Sequence, residues 1–79
     1  MRIELYGVLS EVADTSAFDV AVPVDATVAD VLATVGAERP ELTPHLERVA
    51  VAIGDRLVHS TDSVGNASEL VLLPPVSGG

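Results

Sequence analysis

The residues best suited to chemistry form the last stretch of the chain, Leu73-Pro74-Pro75-Val76-Ser77-Gly78-Gly79. Pro74 and Pro75 fix φ and remove two amide donors, so they end a strand and hold the backbone extended. Gly78 and Gly79 then leave no side chain beside the terminal carboxylate. The ordinary reading of glycines at a chain end is a frayed terminus. A carboxylate with nothing bulky beside it has another use: it can thread a narrow channel in a second protein and let a nucleophile approach its carbonyl carbon. Such a carboxylate is a poor electrophile until activated, for example by adenylation with ATP. Stiff prolines lower the entropy lost when the tail enters the channel. The expected organisation is a domain over residues 1–73 and an extended reactive tail over 74–79. Gly79 is the reacting residue, and Pro74, Pro75, Val76, Ser77 and Gly78 occupy the partner's channel.

The other chemistry-bearing residues point nowhere comparable. His45 and His59 have no second histidine or cysteine at ligand spacing, so no metal site is expected and solvent-exposed structural roles are assigned to both. Glu38 and Glu41 read as a solvated acidic face rather than an acid/base pair. Ser77 has no base near it in sequence, which argues against a nucleophile. The Pro74-Pro75 pair lacks the Pro-x-x-Pro spacing of a polyproline ligand.

Twelve acidic residues against four basic ones give a formal net charge of −8. All four cations are arginines, at 2, 39, 48 and 56, and lysine is absent. A chain of that sign repels a phosphate backbone, so nucleic acid is not expected as a partner. The hydrophobic fraction of 48% nevertheless exceeds what disorder requires. Without cysteine there is no disulfide framework, thiolate metal site or nucleophilic thiol. The longest uncharged run, Leu70 to Gly79, contains two prolines and is far too short to span a membrane. Arg2, Glu4, Glu11 and Asp14 interrupt any signal-peptide pattern, so a cytoplasmic location is expected.

These residues need a frame to position the tail. Ile3 and Leu5 alternate with Arg2 and Glu4 in a first strand ended by Gly7. Val8 to Ala13 reads as a loop or a single helical turn. Alternation over Ala17 to Val24 predicts a second strand, an edge because of Pro23, paired with the first as a hairpin with a long loop. Val28, Val31, Leu32 and Val35 make an amphipathic helical stripe, with all four expected to be buried on a sheet. Thr27 and Asp30 are placed to cap that helix, and Gly36 to stop it. Thr43-Pro44 reads as an N-cap and first helical position of a short helix to about Arg48. Val49 to Ile53 predicts a core strand with Val49, Val51 and Ile53 inward. A short strand at Leu57-Val58, a turn at Gly65-Asn66 and a final strand over Glu69 to Leu73 complete an α+β sheet with one main helix across one face.

Leu72-Leu73-Pro74-Pro75-Val76-Ser77-Gly78-Gly79 resembles the terminal signature of the MoaD/ThiS sulfur-carrier family, which includes the small subunit of molybdopterin synthase. The resemblance extends loosely to Tyr6 with Val8-Leu9-Ser10-Glu11-Val12, to Ala26-Thr27-Val28 at the helix start, and to Pro40-Glu41-Leu42 after it. The turn before the last strand departs from the family's acidic Gly-Asp-Glu type: here it is Gly65-Asn66-Ala67-Ser68-Glu69.

The resemblance implies a ubiquitin-like β-grasp fold with a mixed sheet. It also implies a protein that is itself a reactant, with no bound cofactor and no catalysis of its own. An adenylating enzyme of the ubiquitin-activating type would use ATP and Mg²⁺ to activate the Gly79 carboxylate. A persulfide donor would then convert it to a thiocarboxylate. Within the large subunit of molybdopterin synthase, that group would supply sulfur for the dithiolene of molybdopterin. An archaeal-type ubiquitin-like modifier, joined through Gly79 to lysines of target proteins, shares the same tail and stays open. So does a plain β-grasp interaction domain.

Overall fold

A computed structural model describes residues 1–75. The first strand, β1 (Arg2–Leu5), buries Ile3 and Leu5, as its alternation requires. It is followed by α1 (Val8–Ala13), then β2 (Ala17–Asp19), α2 (Val28–Glu38), a 3-10 turn (Pro40–Leu42), α3 (Thr43–Leu46), β3 (Ala50–Ile53), β4 (Arg56–Val58) and β5 (Glu69–Leu73). The strands form one sheet in the order β2-β1-β5-β3-β4. β1 and β5 run parallel, with Ile3 beside Leu70 and Leu5 beside Leu72; the other pairs are antiparallel. The expected mixed α+β sheet with a main helix across one face is therefore present.

The core lies between that face and the helices. Ile3, Leu5, Leu70, Leu72 and Val51 meet Val28, Val31 and Val35 of α2, Leu9 and Ala13 of α1, and Leu42 from the 3-10 turn. No polar or charged side chain among the described residues is buried. The Thr27 hydroxyl accepts from the Asp30 amide at 3.2 Å, and the Asp30 carboxylate accepts from the Thr27 amide at 3.0 Å, completing the predicted capping box. At the other end of α2, the Arg39 guanidinium lies 4.9 Å from the ring centre of Phe18, tying the helix end to the β2 edge.

One local expectation is narrowed and four are corrected. Of the two readings of Val8–Ala13, loop or single helical turn, the structure takes the helical one and extends it to six residues: burying Leu9 and Ala13 offsets the cost of nucleating so short a segment, and Asp14 ends it with φ 57°. β2 stops at Asp19. Only Val20 adds to it, by exchanging backbone hydrogen bonds with Met1, and beyond it Pro23 offers no donor and Val24 is 79% exposed.

Gly36 does not stop α2, which continues to Glu38. Its missing side chain instead admits α3, because a Cβ there would meet Thr43 Oγ1 at 3.2 Å and Leu46 Cδ1 at 3.3 Å. Thr43 is not an N-cap. Helical winding has already begun at Pro40, and the Thr43 hydroxyl donates back to the Gly36 carbonyl at 3.5 Å. Finally, Leu32 is only half-buried, at the flank of the stripe, while Val28, Val31 and Val35 are fully covered. Val49 and Ile53 do face the core as their alternation predicts, packed on it while partly exposed.

Candidate functional site

The tail leaves the sheet from β5, the central strand. β5 is hydrogen-bonded to β1 on one side and β3 on the other, so its end is the best-anchored point from which a chain could project. The pairing continues one step past β1, where the Tyr6 amide donates to the Leu72 carbonyl at 3.2 Å. Gly7 follows with φ 58° and ψ −136°, a conformation open in practice to glycine. A Cβ on Gly7 would lie 3.0 Å from Pro74 Cγ. Gly7 therefore makes room for the proline ring at the point where the tail starts. Pro74 is half-buried in this seat and Pro75 is exposed. Val76, Ser77, Gly78 and Gly79, the remaining residues assigned to the tail, lie outside the described residues.

Around the seat the surface is apolar. Tyr6 is 51% exposed and Val8 44%. The sheet's open face carries the alternate residues of each strand, and its register sets Leu57 beside Ala52 and Ala52 beside Val71, with Ala50 beside Leu73. Leu57 is 69% exposed, and Val71 and Leu73 are half-buried. This apolar half of the face runs directly into the tail. The other half is charged: Arg2 lies beside Glu69 and Asp19 in register, and its Nε stands 3.3 Å from Glu4 and 4.0 Å from Glu69. The open face thus offers a partner an apolar platform beside an acidic margin.

The histidines are not drawn into this site. His45 is half-buried on α3, and His59 is exposed in a turn where its amide donates to the Asp62 carboxylate at 2.8 Å. Glu38 and Glu41 are both exposed. Among the described residues no group of three His, Cys, Asp or Glu side chains is placed to hold a metal ion. The arrangement presents a tail and a surface to dock against.

The sequence points to a candidate tail but not to the seat at its root. The signal for the seat was weak: a glycine after a strand marks a turn, and nothing in the order of residues says that it faces a proline sixty-seven positions later. The open-face patch was legible in the alternation Glu69, Val71, Leu73, once the inward set Leu70 and Leu72 had been assigned.

Comparison with known proteins agrees with this geometry. SAMP1 from Haloferax volcanii is 29% identical, with a TM-score of 0.85 over 99% of this chain and 97% of that one. A structure of H. volcanii small archaeal modifier protein 1 is 26% identical, with a TM-score of 0.81 over 95% of each chain. A putative molybdopterin converting factor, subunit 1, from Pyrococcus furiosus shares the fold at 16% identity, with a TM-score of 0.80 over 95% of each chain. No curated protein sequence matches. No helix among the described residues is long and apolar enough to cross a membrane. The profile of the ThiS family matches residues 3–79, nearly the whole length, and the β-grasp sheet with its tail issuing from the central strand is the fold of that match: the chain belongs to the ThiS family of ubiquitin-like sulfur carriers.

Proposed function

We propose that the protein is a sulfur carrier whose Gly79 carboxylate is the reacting group, serving as the small subunit of molybdopterin synthase. The observation that carries the proposal is the exit of a side-chain-poor tail from the central strand, seated by Gly7 against Pro74 and flanked by an apolar platform. The carboxylate oxygen attacks the α-phosphorus of ATP on a Mg²⁺-dependent adenylating enzyme, releasing pyrophosphate and leaving an acyl-adenylate. A persulfide sulfur then attacks the acyl carbon and expels AMP. A thiol cleaves the resulting S–S bond, becoming part of a disulfide and freeing the thiocarboxylate. In the large subunit, sulfur passes to the pterin precursor, and hydrolysis of the acyl–sulfur bond returns the carboxylate. This chain contributes the acyl group and the docking surface. The partners contribute acid/base and substrate-binding residues.

A second reading is favoured by the 29% and 26% likeness to archaeal modifier proteins over nearly the whole chain. There an amine of a target protein replaces the persulfide and Gly79 ends in an amide bond. Both readings need the same activation step.

The test is ATP–pyrophosphate exchange with the cognate adenylating enzyme, together with the intact mass of protein from its native host. Deleting Gly79 withdraws the terminus by one residue, up to ~3.5 Å, and misplacement by about 1 Å can cost on the order of 100-fold in rate. Exchange is expected to collapse while the fold persists. Native protein should show an oxygen-to-sulfur exchange at Gly79. A deletion variant that exchanges at the wild-type rate removes the terminal carboxylate from the mechanism. Gly79 found in amide linkage to other proteins, with no thiocarboxylate, selects the second reading.

A further inference from the structure

An activated acyl terminus is a hazard to the molecule that carries it, because any strong nucleophile within reach will consume it. We infer that this chain is built as an acyl donor that cannot serve as its own acceptor, either within one molecule or between copies. The inference rests on the activation proposed above and concerns what happens after it.

The 79 residues contain neither lysine nor cysteine. The side chains therefore supply no amine and no thiol, which leaves the amine at Met1 to be accounted for. That ammonium donates to the Val20 carbonyl at 2.8 Å, and Met1 is half-buried. The amide of the next residue, Arg2, donates to the Ser68 carbonyl at 2.9 Å, placing Met1 at the beginning of β5 while the tail departs from its end.

The distances follow from the parallel register. Arg2 is level with Glu69, so Met1 is level with Ser68, and Gly7 packs on Pro74, so the register runs on to the tail's seat. Pro75 stands seven residues beyond Ser68, about 23 Å at the rise of a parallel strand. The four residues from Val76 to Gly79 span at most ~14 Å. Gly79 therefore cannot reach the Met1 amine of its own molecule. In a second copy the same amine is half-buried and already engaged by the Val20 carbonyl, which limits how it is presented to another molecule's terminus.

The chemistry that is blocked is attack of an amine nitrogen on the acyl carbon, with loss of a proton and expulsion of AMP, giving an amide. With that route closed, the acyl group survives until an external nucleophile arrives, a persulfide sulfur or an amine of another protein. Each acceptor modified at one position then carries a single copy and never a chain of copies.

The test compares wild type with Val8→Lys, which places an amine beside the tail's seat at an exposed position. Each is incubated with the cognate adenylating enzyme and ATP–Mg²⁺ without a sulfur donor, and pyrophosphate release and intact mass are followed. In parallel, each is prepared as a Gly79 α-thioester, which needs no enzyme. Wild type is expected to stay monomeric and unmodified in both formats. Val8→Lys is expected to close on itself, expelling AMP from the adenylate or the thiol from the thioester, and to end one water lighter than the free-carboxylate protein. A tethered amine has an effective concentration in the mM range, so at ~10 μM protein closure should be roughly 100-fold faster than coupling between molecules.

A wild-type product mapped to the Met1 amine overturns the inference. So does a Val8→Lys protein that stays as inert as wild type, since a missing acceptor would then not be what protects the terminus. Absence of pyrophosphate release by either protein counts against the activation step itself, and the thioester comparison still decides whether the chain can accept its own acyl group.

Discussion

Gly7 and Pro74 are packed so closely that a methyl group on the glycine would stand 3.0 Å from the proline ring, although the two residues lie at opposite ends of the sequence. The contact joins the end of β1 to the root of the tail. Gly7→Ala meets both that ring and a backbone φ of 58°. The expected cost is ~1–3 kcal/mol in urea unfolding, with slower pyrophosphate exchange even at temperatures where the variant is folded. A variant of wild-type stability and exchange rate would show that the seat is not needed to aim the tail.

Leu42 and Leu32 separate the core from its margin. Leu42 is fully enclosed between α1 and α2, so Leu42→Ala should cost about 2–5 kcal/mol. Leu32 already shares its surface with water, and Leu32→Ala should fall below ~2 kcal/mol, since less apolar area is lost. Equal losses in chemical denaturation would contradict the burial difference.

Leu57 tests the platform. Its side chain is largely in water, so Leu57→Ser should move stability by no more than ~0.5 kcal/mol. If the open face docks the adenylating enzyme, the loss of one anchor is worth ~1–2 kcal/mol, a roughly 5- to 30-fold weakening. Dissociation measured on immobilised enzyme reads this directly. An unchanged dissociation constant would detach the open face from docking.

Salt should act on folding and on association with opposite signs. The net charge of −8 is met among the described residues by only two exposed ion pairs, both made by Arg2. Screening relieves the mutual repulsion of the carboxylates, while pairs as exposed as these add little that salt could remove. The urea midpoint should rise between ~0.1 M and 1 M salt, where the Debye length falls from ~10 Å to ~3 Å. Association with a basic partner surface should slow over the same range. A midpoint that falls with salt would reverse the first expectation.

What was legible in the sequence was whatever depends on near neighbours. The Thr27–Asp30 box, the spacing of Val28, Val31 and Val35, and the bounds of Glu69–Leu73 are local signals, and the structure keeps all three. Gly36 misled because a glycine near a helix end ordinarily terminates it; only the approach of Thr43 and Leu46 shows why it sits inside the helix. Helix α1 stays undecided between loop and helical turn in the sequence because its stability comes from burying Leu9 and Ala13 against distant elements rather than from its own six residues. The candidate tail is itself a short-window signal, carried by Pro74, Pro75, Gly78 and Gly79. Its seat at Gly7 depends on parallel pairing between the two ends of the chain, which no short window of sequence contains.

That same parallel pairing has a mechanical meaning. Whatever grips the tail pulls on β5 along its axis, and β5 is held on both sides by ladders lying across the direction of pull. The load is shared among the bonds of both ladders as a shear, whereas an edge strand would peel away one bond at a time. If partners hold the protein by its terminus, as proposed, they load the strand that is paired on both sides, and the folded body travels with the tail.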